Sequence, residues 1–154
     1  MVTASVNVFK FSFDSEVTKA KQVVNEVMQL LAGRMPKLTP DDCLDLKLIL
    51  SELLYNAVIH GNGEDKTKMV HLVVNIKDDF VSCSVADEGV GFDYTHFLSR
   101  NESNNAEEET FWFNERGRGI RLVKALVDSL DFNVVGNEIK FCKRVATNGQ
   151  YSGC

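Results

Sequence analysis

Three short segments of the chain carry side chains whose types and spacing could do chemistry. The first is LILSELLYNAVIHGN, residues 48–62. On a helix turning about 100° per residue, Asn56 falls roughly 40° and His60 roughly 80° from Glu52. Their angular neighbours are Leu48, Ile49 and Ile59, while Lys47, Ser51 and Tyr55 mark the solvent side. A carboxylate and an amide on an apolar flank need partners, because burying them unpaired is costly. Two readings are open. One is a buried Glu–Asn contact between successive turns. The other is a pocket in which Asn56 offers its carbonyl oxygen to a hard cation and Glu52 acts as a base. Magnesium suits the second reading, since it takes few protein oxygens and keeps several waters.

The second segment is VADEGVGFD, residues 85–93. Alternation puts Asp87 on the same face as Val81, Cys83 and Val85, so a carboxylate ends a strand on its inward side. Such an acid can accept a hydrogen bond from an exocyclic amine like that of adenine. Gly89 and Gly91 follow, where a side chain would block close approach of a ligand. An ordinary acidic turn at a strand end is the alternative. The dinucleotide fingerprint is excluded, because it needs a third glycine and an immediate helix.

The third segment is ERGRGIRLVKALVD, residues 115–128. Gly117, Arg118 and Gly119 sit where a helix is predicted to begin. Free N–H groups, the helix dipole and guanidinium charge together favour an anion. A flexible loop end with a solvated basic cluster is the alternative. Residues 61–67, GNGEDKT, lack the glycine before lysine that a phosphate-binding P-loop needs.

Taken together and in this order, the three segments resemble the boxes of the GHKL ATPases, the superfamily of gyrase, heat-shock chaperones, histidine kinases and MutL. The wording SELLYNAVIHG resembles more closely the anti-sigma factor serine/threonine protein kinases of bacterial partner-switching systems. The resemblance spans about residues 6–145. It implies a Bergerat-type two-layer α/β sandwich that binds ATP and Mg2+. It further implies Glu52 as general base, Asn56 as magnesium ligand and Asp87 as the adenine-contacting carboxylate. Gly89 and Gly91 match the turn beside the base, Gly117 and Gly119 a lid hinge on the phosphate side, and Arg118 a phosphate contact. Such proteins phosphorylate a serine on an anti-sigma factor antagonist and, in an alternative complex, sequester a sigma factor. Dimerisation is common among them, which leaves a homodimer open. Two positions depart from the family's habit: Tyr94 follows Phe92-Asp93 in place of proline, and Gly136-Asn137 stands where Gly-Thr is frequent.

Elements that could position these residues are readable from periodicity. Residues 6–13 read as a strand. A helix capped by Asp14 or Ser15 runs to about Leu31, and Gly33 ends it. Thr39-Pro40-Asp41-Asp42 starts a second helix that runs to about His60, stopped by Gly61-Asn62-Gly63. Residues 69–77 and 80–87 alternate as strands joined by a tight turn at Asp78-Asp79. A helix from about Arg118 puts Ile120, Val123, Leu126, Val127 and Leu130 on one side. Residues 132–135 and 138–145 form a closing hairpin around Gly136-Asn137. The expected fold class is α+β, a two-layer α/β sandwich: a mixed, mostly antiparallel sheet covered on one face by about three helices.

A length of 154 residues suits a single domain, 1–154, with its core at about 6–145. Residues 92–118 form the ATP lid by the resemblance. They contain an acidic run, Glu107 to Glu109, and the aromatic trio Phe111, Trp112 and Phe113. The acidic run reads as solvated, and the trio as an anchor for the loop or a partner contact. Residues 147–154 read as a flexible tail.

Composition narrows the function classes. Hydrophobic residues make up 44% and charged residues 25%, which excludes disordered and fibrous chains. The net charge of −5 argues against binding nucleic acid directly through phosphates. No apolar stretch is long enough to span a membrane. Lys10 and Ser12 interrupt any signal-peptide core, so a cytoplasmic protein with four reduced cysteines is expected. Those cysteines form no C-x-x-C pair, and with three scattered histidines they offer no zinc set. A kinase that also binds a sigma factor is the leading reading. Its rivals are a non-catalytic ATP-binding regulatory module, whose partner affinity depends on nucleotide, and a histidine-kinase-like ATPase. The latter would need a helix pair with a phosphoacceptor histidine, for which no segment is seen.

Overall fold

The computed structural model describes residues 7–94 and 115–145. The acidic run, the aromatic trio and the tail lie outside the described residues. Among the described residues, five strands and three α-helices follow in the order β1 (Val8–Asp14), α1 (Val17–Arg34), α2 (Pro40–Asn56), β2 (Met69–Lys77), β3 (Phe80–Ala86), α3 (Glu115–Leu126), β4 (Ser129–Phe132) and β5 (Glu138–Arg144). The strands form one open sheet in the order β1-β2-β3-β5-β4, and the three helices give the expected two-layer α+β sandwich.

Every adjacent pair is antiparallel, so the sheet is antiparallel throughout rather than mixed. The reason is the last hairpin. The α3 connection delivers β4 to the outer edge, and the hairpin turns β5 back between β3 and β4. Strands β1, β3 and β4 therefore run one way and β2 and β5 the other, and no two that run the same way are neighbours.

The central helix is α2. Thr39 caps it, its Oγ1 accepting from the Asp42 N–H at 3.1 Å, with Pro40 as first helical residue and Asp41 and Asp42 in the first turn. Leu46, Ile49, Leu50, Leu53 and Leu54 are fully buried, and both α1 and α3 pack on this helix. Ile120 and Val123 bury one face of α3. The sheet contributes Val70, Leu72, Val74 and Ile76 from β2, and Val81, Cys83 and Val85 from β3. Period-two alternation puts these side chains on the helix-facing side. Lys143 ties the layers together. Its Nζ donates to the Leu126 carbonyl at 2.7 Å and lies 3.5 Å from Asp45 Oδ2, which locks β5 to the end of α3 and to α2.

Four details depart from the sequence expectations. First, the α1 N-cap is Glu16, with no side-chain capping bond, because Ser15 is buried and engaged with Lys68 and Asn62. Second, α1 runs through Gly33 to Arg34. Third, β4 occupies 129–132 rather than 132–135. The Asn133 side-chain oxygen accepts from the N–H groups of Gly136, Asn137 and Glu138, which curls residues 133–137 into the turn and leaves Val134 fully exposed. Fourth, Cys83 and Cys142 carry free thiols, but Cys43 is disulfide-bonded. Burial pushes the Cys83 thiol up, which keeps it protonated and inert. Among the described residues no helix is long and apolar enough to cross a membrane.

Candidate functional site

The site is built where α2 ends. Asn56 is its last residue and is buried, while Glu52, one turn earlier, is half-buried. Lys47 and Tyr55 are exposed, so the polar pair does turn away from the solvent side. Leu48 is exposed as well, which makes the apolar flank narrower than the helical projection implies. The Asn56 Nδ2 group is buried without a hydrogen-bond partner. A buried amide left unpaired costs about 1–3 kcal/mol, so its retention points to a task outside stability.

Across from these residues runs α3. Gly117 lies in its first turn, and Gly119 is buried one turn in. The helix begins at Glu115, three residues before the expected start, so both glycines lie within it. A Cβ built on Gly119 would overlap Glu52 Oε2 and sit 3.5 Å from Asn56 Nδ2. Glycine here serves close approach of two helices. Between them lies a cavity of about 470 Å3 lined by Ser51, Glu52, Tyr55, Asn56, Arg118, Gly119 and Leu122. Arg118 is exposed at its edge. One carboxylate, one amide and one guanidinium therefore share a single cavity.

Beyond Asn56 the helix widens. Residues Ala57–Gly61 form a π-helical turn, closed by the Asn62 N–H donating to the Ala57 carbonyl at 2.9 Å. Five residues of α-helix would leave Gly61 roughly 140° from Asn56. A π turn closes one residue later, which swings Gly61 back toward the Asn56 face. Asp87 meets the helix at this point: a Cβ on Gly61 would collide with the Asp87 carboxylate.

Asp87 itself follows β3. Its N–H donates to the Asn137 carbonyl at 2.9 Å, and its Oδ1 accepts from the Gly89 N–H at 2.8 Å. The two glycines that follow are packed closely against other backbone. A Cβ on Gly89 would strike the Gly61 carbonyl, and one on Gly91, at φ 90°, would strike the Val135 carbonyl. The space they leave is filled by the protein's own backbone. The chain then leaves the turn through Phe92 and Tyr94, with Tyr94 stacked on Phe132 at 4.0 Å.

Sequence reasoning missed two residues. Gly61 and Asn62 read only as a helix stop, whereas Gly61 seats Asp87 and Asn62 bonds to the Glu88 backbone at 2.7 Å. The available signal was their position directly after a helix carrying polar residues on its apolar flank. Among the described residues no group of three or more His, Cys, Asp or Glu could hold a metal ion. An asparagine lining an open cavity can still supply one oxygen to a magnesium ion whose other ligands are waters and phosphate oxygens.

Comparison with known proteins gives the family. The family described as histidine kinase-like ATPase domain matches residues 13–143. The serine-protein kinase RsbW of Staphylococcus epidermidis is 31% identical over 117 residues, covering 71% of this chain and 74% of that protein. The serine-protein kinase RsbW of Oceanobacillus iheyensis is 29% identical over 89 residues, covering 58% of this chain and 56% of that protein. The anti-sigma F factor of Geobacillus stearothermophilus is 42% identical over 53 residues, or 34% of this chain and 36% of that protein.

Proposed function

We propose, from the premise that this chain belongs to the histidine kinase-like ATPase domain family, that it is an anti-sigma factor with ATP-dependent serine kinase activity. The observation that carries the reading is the meeting of Glu52 and Asn56 against Gly119 in one cavity, with the Asn56 amide buried and unpaired. A structural Glu–Asn contact would satisfy that N–H group; in a nucleotide pocket it can donate to a phosphate oxygen, and the same side chain has a carbonyl oxygen to offer a cation.

Each residue has a stated task. Asp87 accepts a hydrogen bond from the exocyclic amine of adenine. The backbone turn at Gly89 and Gly91 lies beside the base. Gly117, Arg118 and Gly119 face the phosphates, with Arg118 supplying positive charge. Asn56 would hold magnesium through its side-chain oxygen, and the ion would supply positive charge to offset that of the phosphate oxygens. Glu52 takes the proton of an incoming serine hydroxyl. The serine oxygen bonds to the γ-phosphorus as the bond to the β,γ-bridging oxygen breaks, and ADP leaves. Proton acceptance of this kind contributes typically about 10²–10⁴ in rate.

The partners on this reading are an anti-sigma factor antagonist, which receives the phosphate, and a sigma factor, which is sequestered in the alternative complex. A base beside the metal ligand favours the kinase over a module that only binds nucleotide. The test is titration calorimetry with ATP and magnesium, followed by phosphate transfer to the host's antagonist proteins. ATP binding with transfer supports the kinase. ATP-dependent sigma-factor capture without transfer supports the binding module, and absence of ATP binding removes both.

A further inference from the structure

Asn62 is buried, and its side chain is fully engaged. Its Nδ2 donates to Ser15 Oγ at 2.6 Å and to the Met69 carbonyl at 2.9 Å, while its Oδ1 accepts from the Glu88 N–H at 2.7 Å. Its backbone N–H closes the π turn on Ala57. One residue thus joins the end of the catalytic helix, the β1–α1 junction, the start of β2 and the turn after β3. The bond to Glu88 matters most, because it fixes the peptide linking Asp87 to Glu88. That peptide sets the direction in which the Asp87 side chain leaves the backbone. The Glu88 carboxylate adds a second hold on the same turn, accepting from the Met69 N–H at 2.7 Å.

We infer that Asn62 is a positioning residue for base specificity: it holds the Asp87–Glu88 peptide so that the Asp87 carboxylate, seated on Gly61, faces a 6-aminopurine. The inference rests on the reading of Asp87 as the base contact. A satisfied side chain in a low-dielectric interior holds its partners stiffly. A carboxylate discriminates an amine from a carbonyl only while its direction is held. With Asn62 truncated, the Glu88 N–H loses its acceptor, the turn keeps only the Glu88–Met69 bond as a hold on that side, and Asp87 gains freedom to turn away from the base. Overall nucleotide binding through the phosphates would survive, since Asn56, Arg118 and Gly119 lie on other elements.

The experiment is calorimetry on the whole chain with magnesium and either ATP or inosine triphosphate, whose base carries a carbonyl where adenine has its amine. Wild type should prefer ATP by about tenfold or more, as expected when a site is built to accept a hydrogen bond. Asn62→Ala should shrink the preference to about twofold by losing ATP affinity, with inosine triphosphate held within about twofold. Asn62→Asp keeps an oxygen for the Glu88 N–H and should keep the preference while melting at lower temperature. If Asn62→Ala does not fold, Asn62→Ser, whose hydroxyl is too short to span the gap, carries the same expectation. A folded Asn62→Ala protein with the wild-type preference overturns the inference, as does an equal loss for both nucleotides. Loss of the preference in Asn62→Asp overturns it as well. A wild type that does not discriminate would instead overturn the reading of Asp87, and the inference with it, which separates the two failures.

Discussion

Gly119 lies directly against the carboxylate of Glu52, so closely that a single added carbon would overlap Glu52 Oε2. The contact joins α3 to α2 and fixes the wall of the cavity that holds Asn56. Alanine is the better helix former, so nothing in local propensity asks for glycine here. The requirement comes from the neighbour.

Gly119→Ala should therefore fold and yet fail in chemistry. The methyl group must push the Glu52 carboxylate aside or part the two helices. Displacing a reacting group by about 1 Å can cost on the order of 10²-fold in rate. Phosphate transfer should fall by that order, while circular dichroism stays that of the wild type. Unchanged transfer would show that Glu52 has room to spare.

Asn56→Leu separates stability from function. The substitution replaces a buried, unpaired amide by an apolar group of similar size. Thermal or urea unfolding without nucleotide should show a gain of about 1 kcal/mol or more. The further stabilisation that magnesium and ATP confer on the wild type should disappear. A loss of stability without ligand would mean that the amide is paired in solution.

Asp87→Asn tests the base contact without removing the turn. The new side-chain oxygen can still accept from the Gly89 N–H, so the backbone should hold. The amide NH2 would then confront the adenine amine donor to donor. Loss of a charge-assisted bond is worth about 1.5–3 kcal/mol, so ATP affinity should drop roughly 10- to 10²-fold by calorimetry. Retained affinity would place the base elsewhere.

Acid stability carries a signature from Asp65. The Thr67 hydroxyl donates to its Oδ1 at 2.6 Å and the Thr67 N–H at 2.9 Å, and these bonds hold the carboxyl below the usual aspartate range. A carboxyl depressed in the folded state stabilises above its unfolded pKa and loses that contribution as pH falls through the folded value. Asp65→Asn should thus be less stable than wild type near neutral pH, and the gap should close below about pH 4. Urea unfolding at several pH values measures it; a gap that widens in acid would contradict the assignment.

Much of this was legible in the residues. Alternation placed β2 at 69–77 and its buried face of Val70, Leu72, Val74 and Ile76 without error, since each side chain answers to one local rule. The Thr39-Pro40 helix start was equally local. The polar flank of α2 pointed to Glu52 and Asn56 because helical angles need no tertiary knowledge. What escaped notice depends on distant partners. Asn62 and Glu88 are 26 positions apart, and only the fold brings them together. The register of β4 escaped for another reason: one side-chain oxygen, on Asn133, captures three backbone donors and ends the strand early. The glycines of the acidic turn showed that space is needed there, but not that the backbone would occupy it.

The central claim is that Glu52 takes the serine proton, and Glu52→Gln tests it most directly. Glutamine keeps the shape, removes the base and takes one negative charge from beside the phosphates. ATP affinity and transfer of labelled γ-phosphate to the cognate antagonist should be measured on the same preparation. The account predicts that affinity holds or rises while transfer falls by about 10²–10⁴-fold. Equal transfer rates for Glu52→Gln and wild type would contradict it.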